Sequence, residues 1–145
     1  MSENHTNIVV VLLPRDAQGD EHVTMVYAGD IDGTFTAYEH SLQEITGRLA
    51  SMFHPFPAVV ESHERFGDVG ETPVAIVESP HLHSIRHCLE HFHNSQWGFR
   101  PHISAVGAQL RPIGSQVWFN RIAVWYGPNR SSWALGQSRA MTSLR

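Results

Sequence analysis

The chain contains 145 residues, of which 41% are hydrophobic and 17% are charged, a composition typical of one globular domain spanning residues 1–145. The formal net charge is −4 and the basic residues form no cluster in the sequence, which argues against a long nucleic acid as a partner. Cys88 is the only cysteine, so an intrachain disulfide is excluded and a reducing compartment is favoured. Residues 1–5 show no signal-peptide pattern, and the longest apolar run, residues 8–13, is too short to cross a bilayer. We therefore expect a cytoplasmic protein with no membrane partner.

The first half of the chain predicts two strands followed by a helix. Residues 8–13 form a β-branched run, which predicts a central strand covered on both faces, and residues 22–27 predict a second strand. Thr36 and Glu39 have the spacing of a capping box, so we expect a helix to begin there and to end before Pro55. Its core-facing residues recur at intervals of three and four: Tyr38, Leu42, Ile45, Leu49 and Met52.

The second half predicts two strands, a second helix and three further strands. Ser79 and Pro80 predict the start of the helix, with the serine as its cap, and Cys88 is expected to be semi-buried. The core-facing residues of this helix are Leu82, Ile85, Leu89 and Phe92. The predicted strands of this half cover residues 58–64, 74–77, 102–106, 117–126 and 132–135. Each half of the chain therefore contributes one main helix.

A histidine followed two residues later by a hydroxyl residue occurs on two predicted strands, as His22 with Thr24 and as His102 with Ser104. Because strand side chains alternate between faces, each histidine points to the same side as its hydroxyl partner. The two pairs lie about half a chain length apart, as a duplicated unit would place them. Two such strands side by side could clamp a phosphate between two imidazoles. The plainer interpretation is two ordinary strand histidines.

Residues 22–29 and 99–106 resemble the paired His-x-Thr/Ser motifs of the 2H phosphoesterases, which include 2′-5′ RNA ligase-like proteins and cyclic phosphodiesterases. Phe66 and Gly67, followed by residues 73–77, are similar to the second half of that family. The resemblance extends over nearly the whole chain. It implies an α/β (α+β) fold of two pseudo-symmetric lobes of antiparallel sheet, each with one main helix, which face a central cleft with one motif from each lobe on its floor.

The resemblance implies that His22 and His102 are catalytic and that Thr24 and Ser104 bind phosphate, although many family members have threonine in place of Ser104. Histidine, with an ordinary pKa of about 6.5, can act as base or acid near neutral pH. One neutral and one protonated imidazole would take a proton from the nucleophile and give one to the leaving oxygen. The hydroxyls would stabilise charge on the non-bridging oxygens. No metal or other cofactor is expected, and which histidine is the base stays open.

The implied activity is that of a metal-independent phosphodiesterase with a small nucleotide or short oligonucleotide as its substrate. The candidate bonds are a 2′,3′-cyclic phosphate, a 2′-5′ linkage or a cyclic oligonucleotide linkage. In size the chain is similar to phage members of the family that degrade cyclic nucleotide signals of bacterial immunity, which would act in the host cytoplasm. A non-hydrolytic nucleotide-binding module and an RNA-processing protein are the alternatives. The oligomeric state stays open.

Further candidate substrate contacts are Tyr27, Trp97, Arg100 and Tyr126. The rings could stack on a base and the arginine could face the phosphate, whereas core packing for the rings and solvent for the arginine are the plainer alternatives. The same two interpretations apply to the remaining candidate rings, Phe66, Phe99 and Trp125, and Arg130 is a weaker phosphate candidate.

Three histidines of the second predicted helix, His83, His87 and His91, recur at four-residue intervals and could form a metal stripe. We favour a solvated polar face opposite the apolar residues of this helix and expect no metal site.

Overall fold

The computed structural model describes residues 7–30, 36–94, 98–106 and 109–136. Its elements in chain order are β1 (Asn7–Pro14), β2 (Val23–Asp30), α1 (Thr36–Met52), β3 (Phe56–Phe66), β4 (Thr72–Glu78), α2 (Pro80–Leu89), β5 (His102–Ser104), β6 (Gln116–Tyr126) and β7 (Asn129–Ala134). A short 3-10 turn, Glu90–Phe92, extends α2. The predicted order of strands and helices is confirmed.

The seven strands form one antiparallel sheet in the order β2-β1-β6-β3-β4-β5, with β7 paired to β6. The sheet divides into a first lobe, β1, β2, β6 and β7, and a second lobe, β3, β4 and β5, joined by the pairing of β6 with β3. Helix α1 packs on β6 and β7, whereas α2 crosses to β2, the outer strand of the first lobe. The predicted α+β fold with two lobes of antiparallel sheet is confirmed.

The ends of several strands differ from the predicted ones. Strand β3 extends to Phe66, which pairs with Thr72, so the turn between β3 and β4 is shorter than predicted. Backbone pairing continues there although the outward side chains are polar, and hydrophobic pattern does not detect it. Strand β5 ends at Ser104 instead of residue 106, and β2 begins at Val23, immediately after His22.

The two helices cover the sheet with the apolar residues that their periodicity predicts, with one exception. Leu42 and Leu49 of α1 are buried and Ile45 packs against the core, but Met52 is 69% exposed because it is the last residue of the helix. The side chain of Tyr38 lies outside the described residues. The three- and four-residue spacing therefore predicts the buried face of α1 correctly, but it extends that face one turn too far, to Met52.

Helix α2 begins and packs as predicted. Its start is capped by the hydroxyl of Ser79, which accepts a hydrogen bond from the His81 N–H at 3.1 Å, and Pro80 occupies the first turn. The four predicted core residues of this segment are buried: Leu82, Ile85, Leu89 and Phe92. The expectation for Cys88 is wrong, because the outward face of α2 leaves it exposed. None of the helices in the described ranges combines the length and the apolar character needed to span a membrane.

The two ends of the predicted α1 stripe provide a matched test of where the core stops. Leu49→Ala should lower the free energy of unfolding by about 2–5 kcal/mol, since it removes buried methyl groups and leaves a cavity. Met52→Ala should change it by less than about 0.5 kcal/mol, because the side chain is already in water. Urea denaturation of both variants measures the difference, and equal losses would show that the core continues to the end of α1.

Candidate active site

Strand β2 presents one side to a cleft of about 480 Å³. The register of β2 against β1 skips Met25 and Ala28, so β2 carries two bulges. The bulge at Met25 places Thr24 and Tyr27, three positions apart, on the same side, where both line the cleft. The cleft is lined by Thr24, Met25, Val26, Tyr27, Arg86, His93, Gly98, Phe99, Arg100 and His102. It therefore contains residues from both histidine motifs.

The two outer strands of the sheet, β2 and β5, contact each other although they are not hydrogen-bonded neighbours. The segment that runs from α2 toward β5 covers the outer edge of β2. Arg86 donates to the Met25 carbonyl at 2.9 Å, the Tyr27 N–H donates to His93 Nδ1 at 3.3 Å, and the Asn94 N–H donates to the Tyr27 carbonyl at 2.8 Å. These bonds satisfy edge groups of β2 and hold the second lobe against the first.

Each motif histidine is held by the carbonyl of the residue two positions earlier. His22 Nδ1 lies 2.6 Å from the Asp20 carbonyl oxygen, and His102 Nδ1 lies 2.8 Å from the Arg100 carbonyl oxygen. A carbonyl can only accept, so Nδ1 carries the proton in both rings. In the neutral state Nε2 is then the proton acceptor of both rings.

Each motif histidine also packs edge-to-face against an aromatic ring two strands away in its own lobe. The His22 ring centroid lies 4.7 Å from that of Trp125 on β6, and the His102 centroid lies 4.5 Å from that of Phe66 on β3. The two lobes therefore support their histidines in the same way. The sequence prediction considered both aromatic residues as base-stacking candidates, whereas their rings are engaged in orienting the imidazoles.

Both histidines favour the neutral form. Burial lowers the pKa of His22, the hydrogen bond to the Asp20 carbonyl opposes this, and a positive charge on His102 lowers the pKa further. Burial also lowers the pKa of His102, opposed by its bond to the Arg100 carbonyl and supported by the charge of the Arg100 guanidinium. The influence of His102 on His22 places the two imidazoles near enough for their charges to interact.

The two hydroxyls of the motifs differ in their surroundings. Thr24 is half-buried and lines the cleft, as His102 does. Ser104 is exposed and lies on β5 opposite Val74, outside the set of residues that line the cleft. Thr24 is therefore the better placed of the two to contact a group bound there.

The other predicted substrate contacts have separate outcomes. Tyr27 and Arg100 line the cleft, and the Arg100 guanidinium forms an ion pair with Glu64. Trp97 lies outside the described residues. Tyr126 is 9% exposed and belongs to the hydrophobic core, which corrects its prediction as a substrate contact. It is buried because β6 is a central strand and the Tyr126 ring faces the helices' side of the sheet, with Ile122 and Val124.

The sequence prediction missed two cleft residues, Arg86 and His93. Arg86 is 9% exposed, and its guanidinium lies 5.0 Å above the Phe99 ring. Its Nε atom is buried without a hydrogen-bond partner among the described residues. A signal was present, since Arg86 follows Leu82 by four positions and so occupies the apolar face of α2. A lone arginine at a core-facing position of a helix indicates a buried polar contact.

An ion-pair network lies beside the first motif. Arg111 donates to both carboxylate oxygens of Glu21, at 2.8 and 3.3 Å, and to Asp16 at 2.9 Å. Glu21 is buried and directly precedes His22, whereas Asp16 is exposed. The Arg111 hydrogen bond lowers the pKa of the Asp16 carboxyl, against a smaller effect of burial. This ion-pair network fixes the loop that leads into His22.

The histidines predicted as a metal stripe or a solvated face, His83, His87 and His91, are all exposed. His83 contacts Glu78 at 2.7 Å, and His87 contacts Glu90 at 3.7 Å. Within the described ranges, no group of three or more histidine, cysteine or acidic residues has the arrangement of a metal site.

The two carboxylates on Arg111 allow a matched test of the loop before His22. Glu21→Gln should lower the free energy of unfolding by about 2–3 kcal/mol, because it removes the buried charge that Arg111 binds through two hydrogen bonds. Asp16→Asn should change it by less than about 1 kcal/mol, because that carboxylate is exposed to water. Thermal unfolding of both variants at one pH measures the two effects, and a larger loss for Asp16→Asn would contradict this account.

No family model matches the chain, and no curated protein matches it. Solved structures do match it. The crystal structure of TT0787 of Thermus thermophilus has a TM-score of 0.64 at 16% identity and covers 92% of this chain and 100% of its own. A crystal structure of a phosphoesterase has a TM-score of 0.61 at 13% identity, over 91% and 99% of the two chains. E. coli LigT complexed with 3′-AMP has a TM-score of 0.59 at 14% identity, again over 91% and 99%.

One of these structural neighbours is named as a phosphoesterase and another as LigT. The resemblance drawn from the two histidine motifs is therefore confirmed as a likeness in fold. With one antiparallel sheet in two lobes and two helices, the chain has the 2H phosphoesterase fold.

Proposed function

We propose that the chain is a metal-independent phosphodiesterase of the 2H type that hydrolyses a small nucleotide or short oligonucleotide in the cytoplasm. The observation that carries the proposal is the pair of motif histidines, His22 immediately before β2 and His102 on β5, which are supported in the same way. In each imidazole, Nδ1 is hydrogen-bonded to a backbone carbonyl oxygen, and an aromatic side chain packs edge-to-face against the ring. The crystal structures of LigT with 3′-AMP and with ATP support a nucleotide as the class of ligand for this fold.

The proposed chemistry needs two proton transfers at phosphorus. One neutral imidazole takes the proton of the attacking hydroxyl or water at Nε2, and the other, protonated at Nε2, gives a proton to the departing oxygen. Because burial lowers the pKa of both histidines, the protein without substrate favours two neutral rings. A phosphodiester anion between the rings raises the pKa of the histidine it contacts and so stabilises the acid form.

The residues around the rings have distinct roles in this proposal. Thr24, which lines the cleft, donates to a non-bridging oxygen as negative charge develops there. The exposed Ser104 of the second motif, which lies outside the cleft lining, is the second proposed donor. The Arg100 guanidinium adds positive charge beside His102, while Glu64 holds it in place. Tyr27 and Phe99 line the same cleft and offer apolar surface to a base.

Two alternatives make different predictions for the same cleft. A binding module that sequesters a nucleotide would return the ligand unchanged after incubation. An RNA-processing protein would bind long RNA with a steep salt dependence, which the net charge of −4 disfavours. Incubation with a panel of 2′,3′-cyclic, 2′-5′-linked and cyclic oligonucleotides, including signals of the kind used in bacterial immunity, separates these outcomes by mass spectrometry of the products.

Replacement of either histidine tests the proposal directly. His22→Ala and His102→Ala should each lower kcat by about 10²–10⁴-fold, because each removes one of the two proton-transfer groups. Circular dichroism should show that both variants remain folded. The rate of the wild type should be unchanged by EDTA.

His87→Ala is the matched control for these variants, because His87 is 86% exposed on α2 and lies outside the cleft. It should retain the wild-type rate. Undiminished turnover in either motif variant would refute two-histidine catalysis.

The expected pH dependence of kcat/KM follows from the direction in which the pKa values of His22 and His102 are shifted. The active form holds one proton on the pair, and both pKa values are lowered from 6.5. The singly protonated pair is therefore most populated on the acidic side of pH 6.5 and is lost as the pH rises. A plot of kcat/KM against pH should be bell-shaped with its maximum in that range, and a maximum at alkaline pH would contradict the assignment.

A further inference from the structure

A second pocket, of about 350 Å³, lies beside the loop that leads into His22 and contains three arginines. The arginine pocket, as we call it, has Arg15, Arg121 and Arg130 in its wall, which also includes Asp20, Trp125 and Ser132. The arginines come from the end of β1, from β6 and from β7, so the sequence alone shows no cluster. In the pairing of β6 with β7, Ser132 lies opposite Ala123 and is a diagonal neighbour of Arg121, with its hydroxyl 2.8 Å from the Arg121 guanidinium.

The arginine pocket adjoins the proposed catalytic centre through two shared residues. Trp125 contacts the His22 ring, and the Arg130 guanidinium lies 3.9 Å from the Trp125 ring centroid. Asp20 holds His22 through its carbonyl and Arg130 through its carboxylate, at 3.1 Å. A group bound in this pocket is therefore a close neighbour of a group bound at His22.

The charge of the arginine pocket is positive although the chain as a whole is negative. Within the described ranges neither Arg15 nor Arg121 forms an ion pair with a carboxylate. Arg121 contacts the Ser132 hydroxyl, and Arg15 lies 5.6 Å above the Trp118 ring. Of the two carboxylates in the wall, that of Glu21 is bound to Arg111 and that of Asp20 to Arg130. Two guanidinium groups thus remain available to an anion.

We propose that the arginine pocket binds a second phosphate group of the substrate, next to the phosphodiester that the two histidines cleave. This rests on the proposed function for the identity of the cleaved group. Guanidinium is the side chain that matches phosphate best, because its planar donors bind two oxygens at once. The inference narrows the substrate to an oligonucleotide, linear or cyclic, or a terminally phosphorylated nucleotide. A mononucleoside 2′,3′-cyclic phosphate has no group to place there.

The experiment compares 2′-5′-linked diadenosine monophosphate with the same compound carrying an additional 5′- or 3′-terminal phosphate. Wild-type kcat/KM should be at least about tenfold higher for one of the phosphorylated compounds, since charge-assisted hydrogen bonds of this kind favour binding by that order. Arg15→Gln and Arg121→Gln should each remove most of this preference while turnover of the monophosphate stays unchanged. Isothermal titration calorimetry with the same compounds measures affinity independently of turnover.

Arg48→Gln is the matched control, because Arg48 is an exposed arginine of α1 paired with Glu44. The Arg48→Gln variant should keep the wild-type preference for a phosphorylated compound over the monophosphate. Turnover with equal kcat/KM and equal affinity for all compounds overturns the second-phosphate inference and leaves the proposed function intact. Tighter binding of a phosphorylated compound that depends on Arg15 and Arg121, without any turnover, supports the arginine pocket and overturns the proposed function. Absence of both binding and turnover overturns both.

Discussion

The hydrogen bonds between the α2 segment and the edge of β2 are the constraint on which the site depends. β2 and β5 stand at opposite ends of the strand order, so pairing within the sheet does not by itself bring their histidines together. The Arg86 bond to the Met25 carbonyl, and the bonds of His93 and Asn94 to Tyr27, give the edge of β2 partners from the second lobe. The Met25 carbonyl belongs to a bulge residue, so the irregularity that aims Thr24 and Tyr27 into the cleft also provides the acceptor for Arg86. The position of the cleft and the closure of the two lobes therefore have a common origin.

The support of the two histidines is nearly symmetric, whereas their electrostatic surroundings are not. A carbonyl two residues earlier and an aromatic ring two strands away fix the same tautomer in both. His22, however, lies near Arg130 and Asp20, while His102 lies near Arg100, whose partner is Glu64. Burial is the first cause of the lowered pKa in both rings, so in the proposed mechanism the difference between acid and base would arise from these neighbouring charges and from the substrate. A repeated scaffold can in this way hold two rings alike and still give them different tasks.

Much of the fold could be predicted from the sequence, because hydrophobic periodicity and capping residues act locally. The stripe of α2 and the Ser79 cap are examples, and the nine elements follow in the predicted order. The exposed Met52 shows where periodicity fails, since a helix can continue its pattern past the edge of the sheet it covers. The burial of Tyr126 in the core, and the packing of Phe66 and Trp125 against the two histidines, depend on which strands become neighbours in the sheet. No local sequence pattern shows which strands these are. The same holds for Arg111 and Glu21, which are far apart in the sequence and share one buried ion pair.

Under the proposed function, the distribution of arginines would give this site its selectivity among anions. The cleft contains Arg86 and Arg100, and the arginine pocket contains three more, while the chain carries a net charge of −4. A long polyanion would meet this negative background along most of its length, whereas a compact anion meets only the local positive charge. Arg86 is already hydrogen-bonded to a backbone carbonyl, and Arg100 is already paired with a carboxylate. Both guanidinium groups would therefore act at short range on a correctly placed phosphate and would contribute little to the electrostatic field at a distance. Under the proposed function, selection by a few fixed donors close to the histidines would therefore favour a small substrate with closely spaced phosphates over a polymer.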